Sequence, residues 1–307
     1  MTSNNSFELH QGDEAWPDAL DGLGDVSKLY GVGDLSILTQ PSLAVIGARR
    51  ATPYGLSVSE MLGRVAAECG IPLLSGGAMG CDCAALTSAL SAGGQIIIVS
   101  GCGADMIYPH SSEAIFRKAT SGAGVVVSLE HWGAPPRRYA FPKRNRVIAA
   151  LCQVLVVAEA GIPSGTFSTA SAAADLGKEL YAIPGPIFSP SSRGTNQLIE
   201  QGASIISDEM ALEVKLSLDF GVTRLATRDE LPDRGRVLSA LVACPTRPDE
   251  LATRLGIDVL TIVKTLSDYE MHGLVKRLPD GRYSPTNKVY LPEHIQKASM
   301  VRRESDG

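Results

Sequence analysis

The sequence predicts an α/β protein, a doubly wound and mostly parallel sheet followed by a small winged-helix-like domain. Three observations carry this prediction. Short β-rich runs alternate with stretches of helical spacing, the pattern of a parallel sheet covered on both faces. Glycine-rich turns repeatedly follow those runs. Near the C-terminus the alternation gives way to three short helical stretches and a hairpin. A chain of 307 residues, 44% apolar, has room for two domains of ordinary size.

Taken in order, residues 1–12 are expected to be a flexible tail. The sheet domain is expected over 13–210, with strands at "LAVIGA", "PLLSGG", "QIIIVSG", "VVVSLE", "VLVVAEA", "ELYAIPG" and "ASIISD". Between them lie helical stretches at Tyr54–Cys69, Asp82–Ala92, Ser112–Ser121, Arg144–Leu151, Thr166–Leu176 and Thr195–Gln201. Residues 211–234 read as a linker, because "VTRLATRDELPDRG" mixes charge, Pro and Gly without a period. Residues 235–290 read as the winged-helix-like domain: "RVLSALVA", "PDELATRLG" and "DVLTIVKTLSDYEMHG" as helices, "LVKRLPDGRYSP" as two strands joined by an Asp-Gly turn. A generic helical cap fits the same pattern. Residues 291–307 form a closing tail.

Composition narrows the function. A net charge of -5 excludes a general polycation, so any nucleic-acid affinity has to come from local charge. The longest apolar runs fall far short of the roughly 20 residues of a membrane helix, and the first residues lack a basic start before an apolar core. A cytoplasmic protein without membrane contact is expected. Six cysteines lie mostly in or beside apolar runs, with no C-x-x-C pair. Cys81 and Cys83 stand too close together for an ordinary zinc site, and no metal or other cofactor is expected.

The small domain is a poor reader of duplex DNA. Its second-motif helix, Asp258–Tyr269, offers only Lys264 as a cation and no Asn, Gln or Arg for base edges. Protein contacts or regulation suit it better, with Lys276, Arg277 and Arg282 of the hairpin left as possible phosphate contacts.

The larger domain carries the chemistry. "VIGARRATPYG", "LLSGGAMGCD", "VSGCGAD" and "EAGIPSGT" fall at the C-terminal ends of strands, the edge where open sheets bind ligands and backbone amides hold phosphate. Ser164, Gly165 and Thr166, at the start of a helix, make the clearest such turn. The first turn reads Gly47-Ala48-Arg49-Arg50 in place of G-x-G-x-x-G, and no G-x-x-x-x-G-K-[ST] occurs, so a dinucleotide and a P-loop are both excluded.

Elsewhere "RRYAFPKRNR" sets Arg137, Arg138, Lys143, Arg144 and Arg146 in ten residues, with no Asp or Glu between Glu130 and Glu159 to balance them. Cations in the first turn of a helix are disfavoured by its dipole, so a tertiary partner or an external anion should compensate. Cations interleaved with Tyr139 and Phe141 suit single-stranded nucleic acid, whose phosphates need charge and whose bases stack on rings. A hydrophobic staple at Phe141-Pro142, and a solvated loop or subunit interface for the cations, are the bland alternatives.

Together "AVIGARRATPYG", "LLSGGAMGCDCAAL", "GCGADMIYP", "FPKRNRVIAAL", "SGTFSTASAA" and "AIPGPIFSPSSRGTNQLIEQGA" closely resemble the DNA processing protein A (DprA/Smf) family over residues 16–208. The resemblance implies an extended Rossmann-like fold that binds single-stranded DNA without chemistry, commonly as a homodimer, and hands it to the RecA recombinase during natural transformation. It implies a DNA pocket at Arg49, at Ser75 and Gly76, and in the loop holding Arg138, Phe141, Lys143 and Arg146; Arg144, Ser164, Gly165 and Thr166 join it from the residue pattern. Met79 and Leu86 stand where the family usually has a cation and an imidazole, and Ala48 where it has a serine.

A nucleotide-binding or nucleotide-hydrolysing enzyme of a related fold is the rival. The helix "FSTASAAADLG" has no carboxylate before Asp175, leaving Asp82, Asp105 and Glu159 as candidate proton carriers.

Overall fold

The computed structural model describes residues 5–224 and 235–289. The sheet domain contains β1 (Ser6–His10), β2 (Lys28–Gly33), β3 (Leu43–Ile46), α1 (Pro53–Glu68), β4 (Leu73–Ser75), α2 (Cys81–Ser91), β5 (Ile96–Ser100), α3 (Glu113–Lys118) and β6 (Gly124–Ser128). It continues with α4 (Ala140–Leu151), β7 (Val154–Val157), α5 (Thr166–Asp175), β8 (Glu179–Ala182), α6 (Arg193–Glu200), β9 (Ser204–Ile205) and α7 (Glu209–Phe220). All nine strands share one sheet in the order β1-β2-β6-β5-β4-β3-β7-β8-β9. The seven from β3 to β9 are parallel; outside β6, β2 pairs antiparallel with it and β1 pairs antiparallel with β2.

Alternation along the strands builds two cores. Ala44, Ile46, Leu155 and Val157 pack on the α4 and α5 side; Leu43, Val45, Val154 and Val156 pack against Leu62 of α1, Leu86 of α2 and Leu212 of α7. Burial on both faces explains why these strands read as unbroken apolar runs. Each fully buried Leu, Ile or Val contributes about 1.5–3 kcal/mol.

Strand order reverses between β4-β3 and β7, so chain segments leave β3 and β7 in opposite directions. A crevice opens there at the C-terminal ends of the strands.

Three expectations need correction. Residues 6–10 of the expected tail form β1, whose backbone pairs from Ser6↔Val32 to His10↔Lys28 and whose Leu9 is buried. Pairing satisfies backbone groups that a frayed tail leaves to water, and the ring of Phe7 fills the space over Gly31. The linker does not begin at 211. The chain continues as α7, capped by Asp208 accepting from the Ala211 N–H, with Leu212 and Leu216 one turn apart in the core. Beyond α7, the Arg224 side chain is buried and pairs with Glu68, Glu209 and Glu213, which ties this segment to α1. Finally, the cationic helix expected from Arg144 starts four residues earlier, at Ala140; Pro142 sits in its first turn, where the missing N–H has no partner to lose. The expected boundaries in 1–4, 225–234 and 290–307 lie outside the described residues.

The C-terminal winged-helix domain comprises α8 (Gly235–Ala243), α9 (Pro248–Leu255), α10 (Val259–Met271), β10 (Val275–Arg277) and β11 (Tyr283–Pro285). Thr246 bridges Tyr283 beside the hairpin. Leu241, Leu251, Ile262, Leu266 and Val275 form its core. α10 leaves Leu260, Val263 and Met271 exposed where a base reader carries polar groups. Asn287 Nδ2 donates to Glu60 Oε1 of α1 at 3.3 Å, joining the two domains. Among the described residues no helix is long and apolar enough to cross a membrane.

Candidate nucleic-acid interface

At the strand-order reversal lies a cavity of about 530 Å³. Its walls are Gly47 to Arg49 after β3, Ala78 and Asp82 before and in α2, Phe141, Arg144 and Asn145 of α4, and Gly161 and Pro163 to Thr166 at the approach to and start of α5. Glycines permit this convergence. A Cβ on Gly80 would stand 2.2 Å from the Ala48 carbonyl, and the Cys81 N–H donates to that carbonyl at 3.2 Å.

Arg144 is the centre of the site. It is only 6% exposed, and its Nη1 donates to the Val99 carbonyl at 3.1 Å. Its Nε is buried without a partner. Asp82 supplies the nearby opposite charge. Burial pushes the Asp82 carboxyl up and Arg144 opposes that rise; burial pushes Arg144 down and Asp82 opposes that fall. A buried guanidinium that lines a cavity and keeps one N–H unpaired is preorganised for an anion.

Phe141 is half-buried on the cavity wall, with the Arg49 guanidinium 5.6 Å and the Arg144 guanidinium 5.9 Å from its ring centre. The Tyr108 ring lies 5.9 Å away, and a Cβ on Gly101 would collide with the Phe141 ring. On the opposite wall the Ser164 hydroxyl donates to Thr166 Oγ1 at 2.9 Å and accepts from the Thr166 N–H at 3.2 Å. Asn145 Nδ2 donates to Ser168 Oγ, bracing α4 against α5.

The structure therefore gathers Arg49, Phe141, Arg144, Ser164, Gly165 and Thr166. It separates the other expected residues. Ser75 is fully buried, its hydroxyl donating to the Val45 carbonyl at 2.6 Å. Gly76 lies under Arg144 and leaves room for the guanidinium. Lys143 and Arg146 face a second cavity of about 210 Å³ on the far side of α4, lined also by Asp25 and Glu130. Arg146 pairs with Asp25 at 2.8 Å, and Lys143 stands 5.6 Å from the Tyr139 ring centre. Arg137 and Arg138 are exposed and make no ion pair among the described residues.

Two of the five cations thus have an acid nearby, Asp25 paired with Arg146 and Asp82 near Arg144; Arg137, Arg138 and Lys143 have no ion pair among the described residues, and Arg144 keeps an unpaired N–H. Sequence reasoning missed Asn145 altogether and offered Asp82 only as a candidate proton carrier, not as a partner of Arg144. The only hint for Asp82 was its place directly after a glycine turn at a strand end.

The candidate proton carriers are placed as follows. Glu159 Oε2 accepts from the Thr52 N–H at 2.9 Å, under the start of α1, and Asp105 accepts from the Gly133 N–H at 2.8 Å. Asp82 alone among the three lines the cavity. Cys81 is buried, its thiol pushed up to about 12 by that burial, and no cluster of three or more metal-ligating side chains occurs among the described residues.

The family model of DNA recombination-mediator protein A matches residues 8–216. The chain belongs to this family. The DprA winged helix domain matches residues 223–281. Protein Smf of Escherichia coli K12 is 33% identical over 264 residues, 82% of this chain and 70% of that protein. The DNA processing protein DprA of Streptococcus pneumoniae is 34% identical over 197 residues, 64% of this chain and 69% of that protein.

Among solved structures, DprA from S. pneumoniae superposes with a TM-score of 0.64 at 31% identity, covering 68% of this chain and 74% of that one. DNA processing protein A from Helicobacter pylori, solved for its single-stranded DNA binding mode, gives 0.63 at 33% identity, covering 70% and 96%.

Proposed function

We propose that this protein binds single-stranded DNA without sequence preference, protects it, and passes it to the RecA recombinase, with no chemical step of its own. The observation that carries the binding is Arg144: buried, incompletely paired, and lining a cavity that also holds Arg49, the Phe141 ring and the start of α5. Phosphate meets the guanidinium groups and helix-start amides, and a base lies on Phe141. The H. pylori relative's single-stranded DNA binding and the family's description as a recombination mediator support the reading. A cytoplasmic location follows from that role.

The decisive experiment is titration with single- and double-stranded oligonucleotides of equal length over a salt series. Single strands bind more tightly, with log affinity falling against log salt at about -0.7 per phosphate engaged. Equal affinity for duplex overturns the proposal.

Self-association is supported by the face of α7, where Met210, Val214 and Leu218 recur every fourth residue and stand exposed. Leu218→Arg turns a dimer into a monomer in sedimentation if that face is the interface.

Nucleotide hydrolysis remains the second reading because Asp82, a carboxyl pushed up by burial, lines the cavity. Incubation with nucleoside monophosphates releases free base only if that reading holds.

A further inference from the structure

Among the described residues, the large apolar side chains that the sheet domain exposes fall in two places. Four lie on β9 and α7. All the others lie in loops at the C-terminal edge of the parallel strands, the edge that holds the cavity.

Phe188, in the loop after β8, is the most exposed at 81%, next to Ile187 at 77%. Leaving such a side chain in water forgoes about 1.5–3 kcal/mol of burial. The loop is not free to fold it inward. The Gly185 N–H donates to Asn196 Oδ1 at 3.1 Å, and Asn196 Nδ2 returns a bond to the Gly185 carbonyl at 3.0 Å. The Tyr54 hydroxyl donates to the Pro184 carbonyl at 2.7 Å, and the Gly194 N–H to the Ala160 carbonyl at 2.7 Å.

The loop is also continuous with the cavity rim. A Cβ on Gly161, which lines the cavity, would stand 3.3 Å from the Pro190 carbonyl. At the loop's end Arg193 is exposed and makes no ion pair among the described residues. The cavity lies between β3 and β7, and β8 is the next strand, about 5 Å further along the edge.

We propose that Phe188 is a second base-stacking platform, at the outer end of a single-stranded track that leaves the Phe141 cavity across β7 and β8, with Arg193 meeting a phosphate. The inference rests on the single-strand reading above. An exposed ring in an anchored loop that ends at a cation without an ion pair among the described residues, adjoining a cationic cavity, matches how such strands are bound without sequence preference.

The test uses the full chain with Phe188→Ala and Phe188→Trp, a labelled thymidine oligonucleotide long enough to span the edge, and a dinucleotide that fills only the cavity. Phe188→Ala weakens the long strand by about 5- to 150-fold, the equivalent of losing one stacked base. It leaves the dinucleotide, the salt slope and the melting temperature unchanged. Phe188→Trp keeps the affinity, and its indole fluorescence is quenched by the long strand.

If Phe188→Ala binds the long strand normally while Phe141→Ala does not, the platform is overturned and the single-strand reading stands; the loop then serves a protein contact. If the unaltered chain binds no single strand, both are overturned.

Discussion

Arg144 occupies the space that a side chain on Gly76 would need: a Cβ built there lies 1.5 Å from Nη1. Gly76, which the family resemblance places in the DNA pocket, makes room for the cation. Gly76→Ala is therefore expected to expel the guanidinium, destabilise the fold by about 1–3 kcal/mol through overpacking, and weaken single-strand binding. Denaturant melts alongside oligonucleotide titrations check this. Unchanged binding with lowered stability would show that Arg144 does not meet the DNA.

The split of the cations predicts a graded mutational response. Arg49→Ala and Arg144→Met lower affinity and flatten the salt dependence, each removing a phosphate contact at the cavity. Lys143→Ala has a smaller effect, because its side chain faces the cavity on the other side of α4. Phe141→Ala weakens binding by about 1–3 kcal/mol with the salt slope unchanged, since stacking releases few ions. Affinity measured at four or more salt concentrations separates these classes.

An acid-sensitive clasp holds α7 to α1. Glu209 accepts from Arg64 Nη2 at 2.7 Å and pairs with Arg224 at 2.7 Å. Burial alone pushes the Glu209 carboxyl up, but the Arg64 and Arg224 guanidinium groups outweigh it and hold it below its usual value. A carboxyl lowered in the folded state stabilises above its unfolded pKa, and the contribution is lost as pH falls through the folded value. Glu209→Gln is expected to lower stability by about 1–3 kcal/mol at pH 7, with the difference from the unaltered chain closing below about pH 4. Melting temperatures of both proteins between pH 3 and 7 check it.

The same clasp sets where the chain can be shortened. Ending it after Arg224 keeps the buried guanidinium and leaves most of the single-strand affinity, because the cavity is built from residues 46–169. Ending it after Ser217 removes the last turn of α7 and Arg224, leaving Glu68 and Glu213 without that cation, and is expected to melt lower. Calorimetry on the two truncations, followed by oligonucleotide binding, distinguishes loss of fold from loss of contact.

Much of this protein is legible in its sequence. The seven parallel strands announce themselves because a sheet covered on both faces turns each strand into a run such as "IIIV" or "VLVV". The turns after β3, β4, β5 and β7 show by their glycines where the ligand edge lies. The winged helix shows in three helical periods and an Asp-Gly turn. By contrast β1 and β2 pass unnoticed: β1 is short and half exposed, and β2 carries Gly31 and Gly33, whose strand conformation depends on partners elsewhere in the chain.

Only the tertiary structure decided what each cation of "RRYAFPKRNR" does. Arg144 and Arg146 are two residues apart, about 200° around the helix, so one enters the cavity and the other faces away. Their counter-charges come from distant parts of the chain, Asp82 at the start of α2 and Asp25 at a separation of 121 residues. A local cluster of like charge records that compensation is needed. Which acid supplies it, and which cation is left for a ligand, is set by the packing that brings α2, α4 and the segment before β2 together.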